Sequence, residues 1–150
     1  MILLTFNLIN IESETQKGVR VSDEERLAIT EANAKSVLRI LDIHEIKASF
    51  FIEISIVEKL KNLMKAISAQ GHEIAFYNKN SSASQIEETK KNAEDFLEKQ
   101  IKGIRQKEFK LAESDLKLMG FNYISNIDNA DILFPFKRLK RNSEITEENG

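Results

Sequence analysis

Few residues in this chain are equipped for covalent chemistry. It has no cysteine and only two histidines, His44 and His72, which excludes thiolate nucleophiles, zinc ribbons and iron-sulfur clusters. Serines are plentiful, but none lies in a Gly-x-Ser-x-Gly elbow and no histidine is placed to activate one. The five glycines include none in a Gly-rich strand-to-helix turn, so nucleotide binding has no warrant. What remains is a polar set at the ends of apolar segments: Asn7, Asn10, Glu53, Tyr77, Asn78, Arg105, Lys107 and Glu108. Amides donate and accept, arginine donates through a fixed fork, and tyrosine carries a flat apolar face behind its hydroxyl. Such a set suits holding a ligand better than cleaving one.

The elements that position these residues follow from patterning. Residues 2–6 are an apolar run ending in Asn7, which reads as a strand buried on both faces of a parallel sheet. Ser22 and Glu25 form a capping box, and Leu27, Thr30, Ala34, Val37, Leu38 and Leu41 keep helical spacing behind it. Residues 47–53 read as a second strand. Ser55 with Glu58 reads as another capping box, opening a helix to about Gln70 with Val57, Leu60, Leu63, Met64 and Ile67 on its inner face and Gly71 as its left-handed cap. A third strand is expected over 72–76, then a helix from a Ser84–Glu87 box with Ile86, Ala93, Phe96 and Leu97 inside and its many Lys and Glu residues on a solvated face. Residues 103–106 read as a strand, 113–119 as a short helix closed by Gly120, and 122–125 and 131–136 as further strands.

Strand and helix alternate throughout, which argues for parallel strands joined by helical crossovers, an α/β layer or barrel. At 150 residues the chain is too short for a complete eight-stranded barrel, which takes about 250. In this architecture His44 and His72 precede strands and lie on the N-terminal face, away from the strand ends where catalysis is sited. His72 is expected to orient the turn into the third strand.

Composition narrows the class further. With 22 Lys+Arg against 24 Asp+Glu, the net charge of -2 supplies no field drawing the chain to nucleic acid or anionic lipid. The longest apolar stretch falls far short of a membrane helix of about 20 residues, and the N-terminus lacks the features of a secretory signal, so the expected location is cytoplasmic. Residues 1–136 form one α/β domain on this reading, and 137–150 a polar tail or the start of a further segment. The basic run 137–141 is expected to be solvated, while Phe134 and Phe136 are expected to pack on the core, with a homodimer contact at an uncovered sheet edge as the alternative.

Five blocks in order resemble the polysaccharide deacetylase (NodB-homology, carbohydrate esterase) family. They are Leu3-Leu4-Thr5-Phe6-Asn7, Ile46-Lys47-Ala48-Ser49-Phe50-Phe51, Gly71-His72-Glu73-Ile74-Ala75, Gly103-Ile104-Arg105 and Leu116-Lys117-Leu118-Met119-Gly120-Phe121. The resemblance implies an irregular, incomplete (β/α) barrel. Family members carry further strands beyond the point where this chain ends, so Gly150 is expected to truncate the domain. It also implies metal-assisted removal of an acetyl group from an N-acetylated sugar, with zinc or another divalent ion lowering the pKa of its bound water to about 7.

The positions matching the family's machinery are altered. Asn7 stands where the family has its general base, and an amide cannot accept the proton. Leu8 stands at an acidic position that assists or binds metal, and Tyr77 and Ser81 stand where two metal-binding histidines are expected. Arg105 is kept, but the following residues depart from the family's Arg-x-Pro. The sequence therefore calls for no cofactor and no catalytic residue. It points to an inactive homologue that binds a glycan or a protein through Asn7, Glu53, Tyr77, Arg105 and Glu108. Two alternatives stay open: an active amide hydrolase with a non-standard site, and an assembly subunit completed by another chain.

Overall fold

The structure, a computed structural model, describes residues 3–10, 21–107 and 110–125. Strands β1 (Leu4–Leu8), β2 (Ala48–Glu53), β3 (Glu73–Asn78), β4 (Gly103–Gln106) and β5 (Tyr123–Ile124) form one parallel sheet in chain order. Helices α1 (Asp23–Ile43), α2 (Lys61–Ala69), α3 (Ala83–Leu97) and α4 (Glu113–Leu118) alternate with them. Successive crossovers of one hand, in sequential strand order, put every helix on the same face. The burial pattern agrees. Phe50, Ile52, Ile74, Phe76 and Ile104 share a core with Leu38, Leu41, Met64, Ile67, Ile86 and Leu116 of the helices. The intervening strand residues Phe51, Ala75 and Tyr77 form a second, smaller cluster, as the two-residue alternation of a strand requires. This is the α/β arrangement expected, laid out like successive staves of a (β/α) barrel.

Local chemistry sets the element boundaries. The Ser22–Glu25 box is present in both directions, at 3.2 Å and 3.1 Å. The box opening α3 is Ser82 with Gln85 rather than Ser84 with Glu87. Asn78 Oδ1 accepts the Ser81 N–H at 2.9 Å and turns the chain early enough for Ser82 to cap. No Ser55–Glu58 box forms. The Ser55 hydroxyl donates to Glu53 Oε1 at 2.6 Å instead, and the chain makes two short 3-10 turns, Ile54–Ile56 and Glu58–Leu60, before α2 begins. The expected apolar face of that segment, from Val57 to Ile67, is buried all the same.

Two further expectations change. Asn7 is exposed, so β1 is covered on one face only. On α3, Lys90 is not on a solvated face: it is 9% exposed, with Nζ 2.5 Å from Glu94 Oε1 and 5.5 Å over the Phe121 ring. Glu94 also accepts the Ile101 N–H at 2.9 Å, fastening α3 to the segment leading into β4. The strand expected over 131–136, Phe134 and Phe136, and the tail 137–150 lie outside the described residues. Among the described residues no helix is long and apolar enough to cross a membrane.

His72 does orient the entry to β3. Its Nδ1 accepts the Ala48 N–H at 3.2 Å, which makes the ring neutral with its proton on Nε2. Burial, reinforced by the nearby Lys47 charge, holds its pKa below the usual imidazole value. The folded state therefore resists a proton that the unfolded chain accepts near pH 6.5. Stability is full above that pH and falls as the pH drops from there toward the lower folded value. Urea unfolding should show a lower midpoint at pH 5 than at pH 7.5, and the share of that difference due to His72 should vanish in His72→Asn.

Gly103 is required by a close approach. The Tyr123 ring lies across it, and a β-carbon at position 103 would sit 2.1 Å from Tyr123 Cζ. Gly103→Ala should cost about 1–3 kcal/mol of unfolding free energy, the usual penalty of overpacking. The cost should shrink in a Tyr123→Ala background, because the two positions are coupled through that ring.

Candidate functional site

The face of the sheet opposite the helices gathers the residues of interest. Alternation along the strands places Asn7, Phe51, Glu53, Glu73, Ala75, Tyr77, Gly103, Arg105 and Tyr123 on it, and the register sets Glu53 beside Tyr77 and Tyr77 beside Arg105. Arg105 organises this face. Its Nη1 donates to Asn7 Oδ1 at 2.6 Å, and Nε and Nη2 donate to Ser125 Oγ at 3.2 Å and 2.9 Å. Its guanidinium carbon lies 3.9 Å from the centre of the Phe51 ring. β1 and β4 are separated by two strands, roughly 14 Å across a flat sheet. A single side-chain hydrogen bond closes that span only because the sheet curls, making this face concave. Burial lowers the Arg105 pKa, while the Tyr123 and Tyr77 phenols act in the opposite direction; the group stays a cation.

Below this layer a second network fixes the floor. Glu73 accepts from the Ser49 hydroxyl and from the Tyr123 hydroxyl, both at 2.6 Å. Burial, and then the bond to Glu73, push the Tyr123 pKa above the usual phenol range, so it remains a donor. Glu53, which is buried, accepts the Asn10 N–H at 2.7 Å on one oxygen and the Ser55 hydroxyl at 2.6 Å on the other. Glu53 and Arg105 therefore have separate partners and do not pair with each other.

Four of the anticipated binding residues, Asn7, Glu53, Tyr77 and Arg105, thus share one face. Glu108 lies outside the described residues. Asn78 does not join the rim: it points to the helix side, is 0% exposed and holds the turn into α3. Phe51, Ser125 and the Ser49–Glu73–Tyr123 chain were not picked out from sequence. The signal for Phe51 was there, since it shares the two-residue phase of Glu53. Tyr123 required knowledge that a glycine faces it.

The divalent ion implied by the family resemblance can be tested against the donor set. Leu8 carries no donor, is 8% exposed and belongs to the helix-side core. Tyr77 offers a buried phenol packed with Phe51 and Ala75, and Ser81 is held through its N–H in the turn after β3. Among the described residues no three His, Cys, Asp or Glu side chains are grouped to hold a metal. Zinc takes nitrogen, sulfur or carboxylate ligands, so these residues do not fit it.

No family model and no curated protein matches this chain. Solved structures do. A CE4 family pseudoenzyme from Bacillus anthracis matches with a TM-score of 0.55 and 18% identity, over 83% of this chain and 42% of that one. A mutant of that pseudoenzyme with restored enzymatic activity matches with a TM-score of 0.56 and 17% identity, over 83% and 44% of the two chains. The chain thus spans less than half the length of these structures. Over the part it spans, its fold is that of the CE4 domains, the carbohydrate esterase fold to which the five sequence blocks pointed.

Proposed function

We propose that this chain is a degenerate polysaccharide deacetylase domain that binds a glycan on its concave strand-end face without hydrolysing it. The observation that carries the reading is the state of Asn7. Its Oδ1 is taken by Arg105 at 2.6 Å, so the side chain at the base position is a tethered amide with nothing to accept a proton. General-base catalysis contributes about 10²- to 10⁴-fold in rate, and that contribution is missing here. The neighbouring Leu8 is turned into the core, and a carboxylate there would be desolvated among apolar side chains.

The same face keeps what recognition needs. Tyr77 is buried beside Arg105 and packs with Phe51 and Ala75 as an apolar backing, while Asn7 and Arg105 carry the accessible polar groups that can bond to sugar hydroxyls. Phe51 and Arg105 are held in fixed geometry by each other, which lowers the ordering cost of binding. The likeness to a protein described as a pseudoenzyme supports the reading in kind.

Isothermal titration against a panel of neutral and acidic oligosaccharides tests this. At least one glycan should bind, and Arg105→Gln should weaken it about tenfold or more, the loss expected for one charge-assisted hydrogen-bonded contact, with the circular dichroism spectrum unchanged. No affinity for any member of the panel would overturn the glycan reading and leave a protein partner as the occupant of this face.

A further inference from the structure

The surroundings of Arg105 specify the ligand further. A guanidinium has five N–H groups, and Arg105 commits three of them, to Asn7 Oδ1 and to Ser125 Oγ. One N–H remains on each terminal nitrogen. Among the described residues its partners are neutral: an amide oxygen, a hydroxyl and the face of the Phe51 ring. Among the described residues no carboxylate lies within ion-pair distance of it. The two carboxylates on the same face are already engaged through both oxygens, Glu53 by Asn10 and Ser55, and Glu73 by Ser49 and Tyr123. Arg105 is thus a half-buried cation that has given up part of its water without gaining a counter-charge among the described residues, and its lowered pKa reflects that burial.

A partly desolvated cation with N–H groups to spare is completed by a carboxylate, which accepts from them and supplies a counter-charge. A neutral hydroxyl or amide would fill the hydrogen bonds and leave the charge unmet. Resting on the glycan reading above, we propose that the ligand presents a carboxylate to Arg105, so that the site takes acidic, uronate-type glycans in preference to neutral ones.

Titration of the whole chain with trigalacturonate and with N,N′,N″-triacetylchitotriose separates the possibilities. The acidic trimer should bind about tenfold tighter or more, the factor typical of one charge-assisted hydrogen-bonded contact, and its affinity should fall as salt rises from low ionic strength. Arg105→Gln should erase the preference. Asn7→Asp, which changes shape little and places a carboxylate against Nη1, should erase it as well by supplying the counter-charge from within. That variant keeps the proposal testable if Arg105→Gln does not fold. Equal or tighter binding of the neutral trimer, or a preference untouched by Asn7→Asp, overturns the acidic assignment while the glycan reading stands. Binding of neither trimer, nor of any other glycan, overturns both.

Discussion

Every crossover helix packs on the same face of a parallel sheet, and the rest of the structure depends on that constraint. Each strand must send alternate side chains into two unlike environments. The helix side takes Phe50, Ile52, Ile74, Phe76 and Ile104 and supplies the hydrophobic stabilisation. The other side is left to residues that need not pack against a helix, and there polar groups can be kept if they satisfy one another. Asn7, Glu53, Tyr77 and Arg105 belong to this second set, which is why residues far apart in sequence meet on one concave surface.

The polar face is held together by bonds that skip strands. Arg105 on β4 reaches Asn7 on β1, and Tyr123 on β5 reaches Glu73 on β3 past Gly103. These contacts go with a curled sheet and tie its non-adjacent strands together. The same contacts bear on function. An asparagine whose oxygen is bonded to an arginine has no basic atom to take up a proton. A leucine beside it completes the core.

Much of this was legible in the sequence. The strand-helix rhythm, the Ser22–Glu25 box and the inner face from Val57 to Ile67 all follow from spacing alone, since each reports a local or near-local requirement. The five family blocks led to the fold that the solved structures share. Other features were not legible, for physical reasons. Ser55 and Glu58 have the types and spacing of a capping box, but Glu53 competes for the same hydroxyl from two residues away. Lys90 and Glu94 look like an exposed helical pair until tertiary packing lays Phe121 beneath the lysine. The concave site depends on contacts between strands more than 90 residues apart, such as Asn7 with Arg105. Sequence placed both at strand ends without revealing that one is bonded to the other.

The central claim is that this face recognises and does not hydrolyse. Its most direct test is acetate release from an N-acetylated chitooligosaccharide, measured at high protein concentration with added zinc and again with a chelator. The account predicts no release above the protein-free control in either condition. Chelator-sensitive release that persisted through repeated purification would contradict it, and would require a metal-binding arrangement different from the one at Asn7, Leu8, Tyr77 and Ser81.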